Sequence, residues 1–537
     1  MSILNVIRSH HDVEPQNVEE EPPLTGQTIV TEDKLETSAK DKKHESPSMS
    51  EDEEGSVENV DAWDLTKALM SIDPNHPAHP HKWPLWKKLF VATVYTFLEV
   101  YVIWSSTACI NFFDIYQTNW HCSIQVSYLV QSLFIVGNAF GPMLLGPMSD
   151  IFGRKWVYVG SLILYIIFQI PQALAYNLPM MAINSAIAGA FGSSALANVA
   201  SSMCDIFTPE TVGFGISLFV WGANAGASIG SPIGEALYDH WRWFYWMNMI
   251  VGGFFVILCV LCPETLPAIN IMNYSSTTGE KTVQVSTLAK AKSAVVRTKF
   301  VLSTAFKLLC TEPIIMALGL YNGFAYGLIF LYLDGLFPVF VDNYKMGYMG
   351  ANLTYLNFLV GVTIVVMLQP IQDWLYRWDK RRHGGVARPE ARFLISLLTV
   401  WFFPAGLFWF AFTSDGRISW VSPLIAGGVL GVGDPQLWLA MINYITDSYP
   451  SVAGSAIAAF TLPSFAIAAV LVHLGIIMFD NMTTTWAMAT LAFISLSLVA
   501  TIYVIYFFGH LIRKHSRLAV TQQALQEAHD AKVLPEV

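Results

Sequence analysis

Charge is what this sequence has least of. Only 13% of its 537 residues are Asp, Glu, Lys or Arg, while 54% are hydrophobic and the mean hydropathy is +0.46. A soluble domain is nearer a quarter charged, so soluble fold classes are excluded and a polytopic membrane protein is implied. Cysteine is also scarce. The 6 cysteines are scattered, and Cys204, Cys259, Cys262 and Cys310 lie in apolar runs, which argues against a disulfide framework or a metal cluster. Only Cys109 and Cys122 fall near one face, the outer one, where a bridge is compatible with their placing. No Gly-x4-Gly-Lys-Ser/Thr phosphate loop is present, so the chain is not an ATP-driven pump by its own sequence. His-Glu-x-x-His and Gly-x-Ser-x-Gly are absent, and no basic patch suits nucleic acid. No enzyme activity, cofactor or metal is therefore expected. The first 80 residues are polar, so no cleavable signal peptide is expected and the first apolar span directs insertion.

The overall net charge of -10 is an average of two unlike parts. Residues 1–82 hold 18 acidic and 7 basic side chains, a net of -11, whereas the rest of the chain holds 22 and 23. The acidity belongs to a tail rather than to a binding face. This tail, rich in Glu, Asp, Ser, Pro and Lys, cannot bury enough apolar surface to offset ordering entropy, and disorder is expected over 1–85. Ser46, Ser48, Ser50 and Ser56 flank Glu51-Asp-Glu-Glu54, a pattern open to phosphorylation, though a plain solvated acidic tail is the favoured reading. His76, His79 and His81 sit among prolines, which lack the preformed geometry of a metal site.

What is abundant is apolar sequence in lengths near the ~20 residues that cross a bilayer. Twelve spans are read at 88–110, 124–146, 156–176, 180–203, 211–236, 243–262, 312–339, 349–371, 393–413, 418–444, 451–475 and 484–509. The fold class is an all-α membrane protein with six spans in each half, 86–262 and 312–509. A cytosolic central loop at 263–311 joins them, and a short tail follows at 510–537. Lys290 to Leu309 has the pattern of an amphipathic helix lying on the membrane. Lys87, Lys88, Arg154, Lys155, Lys290–Lys307, Arg377–Arg392 and Arg513–Arg517 fall on one side. The other side holds only Arg242, Lys345 and Arg417. By the positive-inside rule both termini are cytosolic, and the plasma membrane is the expected location.

One polar stretch interrupts the first half: Gly146-Pro-Met-Ser-Asp150-Ile-Phe-Gly153-Arg154-Lys155-Trp156. It reads as a short cytosolic loop between spans two and three, with Gly146, Asp150, Gly153, Arg154 and Lys155 as gating residues. Gln369-Pro370-x-x-Asp373 after span eight echoes Gly146-Pro147-x-x-Asp150. Gly222, Gly226, Gly230 and Gly234 put small residues on one face of span five, for close packing or for a bend at Pro232.

Ionisable residues within spans are costly and therefore functional candidates. Glu99, Asp334 and Asp434 are the three carboxylates so placed. Desolvation disfavours their charged form, so each can take up and release a proton, as proton coupling requires. The plain alternative is a carboxylate paired with backbone at a helix break, most of all for Asp434 beside Pro435. Trp104, Tyr321, Asn322, Tyr326, Asn443 and Tyr444 are candidates for an apolar cavity with a few amides, suited to flat hydrophobic or cationic ligands. Ordinary packing or lipid contact explains part of such a set.

Several motifs together resemble one family. They are the Gly146–Lys155 loop, Trp241-Arg242-Trp243, Pro263-Glu264-Thr265, Pro389-Glu390-Ala391-Arg392, Gly406-Leu-Phe-Trp-Phe410 and Asn443-Tyr444-x-x-Asp447-x-Tyr449. Over about 85–510 the chain is similar to fungal major facilitator superfamily transporters of the twelve-span drug:proton antiporter group. Departures are Ile151 after the loop aspartate, Ser185 and Leu462-Pro463-Ser464 where the family often has arginine, and Gly230-Ser231-Pro232 in the span-five signature. The resemblance implies a monomeric secondary transporter whose partners are a small-molecule substrate, protons and the lipid bilayer. It implies proton-coupled efflux of hydrophobic or toxic compounds. Proton-coupled nutrient uptake, polyamine transport and a non-transporting nutrient sensor are the alternatives.

Overall fold

The computed structural model describes residues 76–208, 211–278, 287–383, 388–449 and 453–515. The acidic tail before residue 76, its serines, and the tail beyond residue 515 lie outside the described residues. No strand occurs among the described residues.

Among the described residues, twelve helices are long and apolar enough to cross a membrane: Leu85–Trp120, Ile124–Phe152, Arg154–Ala173, Leu178–Ile206, Val212–Ala236, Tyr238–Leu261, Pro313–Asn343, Tyr348–Arg382, Ser396–Thr413, Val421–Ser448, Gly454–Asn481 and Thr484–Arg513. These are spans 1 to 12. The expected span centres coincide with them, and the ends differ where polar residues continue a helix past its apolar run. Span 8 carries on to Arg382 through Lys380 and Arg381, bases that suit a helix C-terminus. The expected central loop is mostly helix, Pro267–Thr278 and Thr287–Thr311.

Neighbours repeat with a period of six spans. Span 1 packs on 5, 2 on 4, 3 on 4 and 6; likewise 7 packs on 11, 8 on 10, 9 on 10 and 12. The halves meet where span 2 lies on 11 and span 5 on 8. Without a hydrophobic drive between helices in lipid, such seams depend on close backbone approach. Span 5 shows how the sequence supplies it. A Cβ on Gly222, Gly226, Gly230 or Gly234 would fall less than 3.0 Å from the carbonyl oxygens of Thr96, Val100, Trp104 and Ala108 respectively. One glycine per turn meets one carbonyl per turn of span 1. Close packing therefore explains the glycine pattern, and the helix runs through Pro232 without ending.

All six cysteines are free, and Cys109 is buried while the Cys122 thiol approaches the Tyr116 carbonyl and Ser127 Oγ. The bridge considered between them does not form. His79 is buried and His81 approaches the Cys204 carbonyl at the inner end of span 4. Burial pushes the His81 imidazole down from its ordinary value.

Candidate functional site: a cavity between the halves and a charge network beneath it

The expected loop at Gly146–Trp156 is hardly a loop. Span 2 stays helical to Phe152, and span 3 starts at Arg154. The whole reversal is made at Gly153, whose φ of 97° and ψ of 148° favour glycine. A Cβ there would also strike Glu264 Oε2 at 2.5 Å. Glu264, from the Pro263-Glu264-Thr265 motif, caps span 3. Its Oε1 accepts the backbone N–H groups of Arg154 (2.9 Å), Thr265 (2.9 Å) and Leu266 (2.9 Å), and its Oε2 that of Lys155 (3.2 Å). A carboxylate on the unpaired N–H groups of a helix start satisfies donors that would otherwise be buried, and it meets the positive end of the helix dipole.

Arg154 is buried and bridges two aspartates. It pairs with Asp150 at 2.8 Å and with Asp205, at the end of span 4, at 3.0 Å, and it donates to Ser149 Oγ at 2.6 Å. Asp150 also takes Arg297 of the helix Thr287–Thr311 at 2.8 Å. Lys155 contributes its backbone N–H, while its ammonium lies over the Trp156 ring at 5.7 Å. Gly146 is mid-helix with open space beside it. Of the expected gating residues, then, Asp150, Gly153 and Arg154 are built into one network, Lys155 joins through its backbone, and Gly146 stands apart.

The second half repeats the network with different partners. Arg392, at the start of span 9, pairs with Asp447 of span 10 at 2.7 Å and stacks over Tyr376 at 3.9 Å. Asp373, the echo of Asp150, accepts Gln369 Nε2 at 3.0 Å. Glu390 pairs with Arg513 at the end of span 12 at 2.6 Å.

Above these networks a narrow cavity of about 50 Å³ lies between the halves. Asn224 and Ser228 of span 5 face it from one side. Asn322, Tyr326, Asp434, Trp438, Thr461 and Ser464 face it from the other, among Phe330, Phe358 and Phe465. Asp434 has neither a hydrogen-bond donor nor a cation paired with it among the described residues. Span 10 continues unbroken through Pro435, so no helix break captures that carboxylate.

The other expected residues fall elsewhere. Glu99 has no exposure, both its carboxylate oxygens are unpartnered, and its Cβ would stand 3.6 Å from one on Gly222. Asp334 lies nearer the outer end of span 7 with Oδ2 unpartnered and facing Gly475 of span 11. Trp104 donates to Asn248 Oδ1 at 2.8 Å, inside the first half. Tyr321 is buried one residue from Asn322, turned about 100° away around the helix. Asn443 and Tyr444 lie nine and ten residues past Asp434, roughly 14 Å down the axis. There Tyr444 approaches Glu390 and Arg513 of the charge network.

Two ties close the seam on the outer side. His473 of span 11 meets Gln125 Oε1 at 3.2 Å and Ser132 Oγ at 3.1 Å, both from span 2, and its carbonyl accepts Gln125 Nε2 at 3.3 Å. Ser231 donates to Asn352 Oδ1 at 2.5 Å between spans 5 and 8. Deeper, Trp221 donates to Thr363 Oγ1 at 3.0 Å across the same seam. His473, Trp438, Asn224 and Ser228 are not among the residues expected from the sequence. Helical phase was the available signal, since Trp438 follows Asp434 by one turn and Ser228 follows Asn224 by one turn.

Paired six-span halves around a midplane cavity, with mirrored charge clusters at one end, define a secondary transporter. Residues 89–473 match the sequence profile of the Major Facilitator Superfamily, and the chain belongs to that family. It is 43% identical over 472 residues to a vitamin B6 transporter of Schizosaccharomyces pombe, covering 87% of this chain and 89% of that one. It is 33% identical over 460 residues to a citrinin biosynthesis cluster transporter of Monascus ruber, covering 83% and 91%. In fold it is similar to the proton:xylose symporter XylE, with a TM-score of 0.57 at 14% identity over 79% of this chain and 96% of that one. The protein is a multi-pass membrane transporter and not an enzyme.

Proposed function

We propose that this transporter is proton-coupled and imports a small hydroxylated aromatic heterocycle of the vitamin B6 kind, bound between the halves. The observation that carries this reading is the unpaired Asp434 carboxylate on the cavity wall, one helical turn from Trp438 and opposite Asn224. A lone carboxylate in a dry cavity lacks a partner that a ring nitrogen or hydroxyl of the substrate can supply. Aromatic walls then stack on a flat ring, and Asn224, Asn322, Thr461 and Ser464 offer the hydrogen bonds that a hydroxylated ring needs. The 43% identity to a vitamin B6 transporter supports the same class.

In this reading Asp434 binds substrate, and Glu99 and Asp334 carry the proton. Neither of the latter reaches a cation, so protonation removes the cost of a buried charge and biases the two halves between their arrangements. The Asp150–Arg154–Asp205 cluster holds the inner ends of spans 2, 3 and 4 as one body while the halves rock. The protein sits in the plasma membrane with both termini in the cytosol. A second reading, export of a toxic or hydrophobic compound, is favoured by the aromatic cavity wall and the 33% identity to a citrinin-cluster transporter.

The test is uptake of labelled pyridoxine by cells lacking their own carriers, with and without an imposed proton gradient. Gradient-dependent accumulation on expression is expected. Loading of inverted vesicles instead, with no cellular accumulation, overturns import in favour of export.

A further inference from the structure

The helix Thr287–Thr311, between the halves in sequence, carries five bases and no acid. Its buried side includes Ser293, Ala294, Ala305 and Leu308 and packs against spans 2, 7 and 11, so it touches both halves. Its exposed side is unusual for a surface facing water. Val295 is 70% exposed, Val296, Phe300 and Phe306 are each nearly half exposed, and Lys292, Lys299 and Lys307 are interleaved with them. At about 100° per residue these positions fall on one face and form a stripe along the helix. A stripe of valine and phenylalanine interleaved with lysines, ending where span 7 enters the membrane, has the chemistry of a helix lying at a bilayer surface. With no acid on the helix, nothing local neutralises the lysines, and acidic headgroups complement them.

We propose that this stripe binds anionic phospholipid of the leaflet on the lysine-rich side of the protein, and that Arg297 on the same helix passes lipid occupancy to Asp150. Arg297 is the link because its Nη2 pairs with Asp150 at 2.8 Å while its Nε is buried without a partner. Asp150 in turn shares Arg154 with Asp205. Seating the helix on charged lipid fixes the position of Arg297. That strengthens its hold on the inner end of span 2.

The experiment uses the full chain in nanodiscs of phosphatidylcholine with increasing phosphatidylserine and needs no transport substrate. Native mass spectrometry reads phosphatidylserine retained per protein, and hydrogen exchange reads protection of residues 287–311 and 146–156. The expected result is preferential retention of phosphatidylserine with rising protection of both segments. Lys292→Gln, Lys299→Gln and Lys307→Gln each weaken retention about fivefold. Arg297→Gln keeps retention but loses the lipid-dependent protection of 146–156. Equal retention by the triple lysine variant overturns the site, and unchanged protection of 146–156 in the wild type overturns the link. The chain's own acidic segment is the other anionic occupant. If removing residues 1–75 changes protection of 287–311 while phosphatidylserine does not, the occupant is that segment and the proposal falls.

Discussion

Glu99 and Asp434 are both carboxylates near the middle of the membrane, yet the two halves treat them differently. Glu99, in the first half, is fully buried against Gly222 with both carboxylate oxygens unpartnered. Asp434, in the second, stands on the cavity wall beside Trp438. The charge networks at the lysine-rich end differ too. Arg154 binds two aspartates, and one of these also holds Arg297, whereas Arg392 binds one aspartate and Asp373 is left to a glutamine. The first-half cluster thus centres on one arginine shared by two aspartates, whereas the second half spreads its charge over separate pairs, Arg392–Asp447, Glu390–Arg513 and Arg388–Asp379. We read the shared-arginine cluster of the first half as the frame, and most of the cavity's polar groups come from the second.

The sharpest way to break this division is to neutralise both carboxylates separately. Asp434→Asn removes the charged partner from the cavity, and loss of one charge-assisted hydrogen bond weakens substrate binding about 10- to 100-fold. Glu99→Gln is expected to leave binding within about twofold and to abolish the response to a proton gradient, because that side chain touches no cavity surface. Asp334→Asn likewise abolishes gradient-driven transport with expression intact. Binding measured by calorimetry and transport measured in proteoliposomes separate the two effects. If Glu99→Gln and Asp434→Asn lose binding equally, the halves do not divide the roles.

A second comparison is between the two arginines. Arg154→Ala leaves Asp150 and Asp205 without their shared cation and is expected to cost about 3–5 kcal/mol, the usual range for breaking a buried pair. Arg392→Ala leaves Asp447 with Tyr376 and is expected to cost less. Thermal unfolding in detergent ranks them, and a larger drop for Arg392→Ala would reverse the assignment of the frame.

The glycine seam of span 5 comes next in size. Gly230→Ala drives a methyl into the Trp104 carbonyl, and an overpacking penalty of about 1–3 kcal/mol is expected. Gly160→Ala meets nothing within 4 Å and is expected to be neutral. Yield of monodisperse protein distinguishes them.

Most of the fold was legible in the sequence because bilayer thickness sets span length, a constraint that survives without any knowledge of contacts. The three membrane carboxylates were legible for the same reason, since charge stands out where little is allowed. The cavity was less so. Asn322 and Tyr326 line it, whereas Tyr321, beside Asn322, faces about 100° away around the helix. Asn443 and Tyr444 lie roughly 14 Å further along span 10 than Asp434. Ser228, Trp438, Thr461 and Ser464 carry no charge and follow no motif, so only helix phase relative to Asp434 and Asn224 could have pointed to them. Asp150 and Arg154 are one turn apart, but the network's other charged partners lie 51 to 147 residues away in sequence, and nothing local announces that Glu264 caps span 3 or that Asp205 meets Arg154.

The smallest expected effect tests the motif residue that looks most important on paper. Lys155 follows Arg154 in the sequence signature, but its ammonium only overlies Trp156 while its backbone N–H serves Glu264. Lys155→Gln keeps that N–H and is expected to change stability by no more than about 0.5 kcal/mol, as at other surface positions. Glu264→Gln keeps the side-chain shape but exchanges one acceptor oxygen for an amide donor facing backbone N–H groups. Losing that cap is expected to cost about 1–2 kcal/mol. The order of the pair in thermal unfolding decides whether the reversal at Gly153 is held by the conspicuous base or by an acid more than a hundred residues away. A larger loss for Lys155→Gln would return the weight to the side chain.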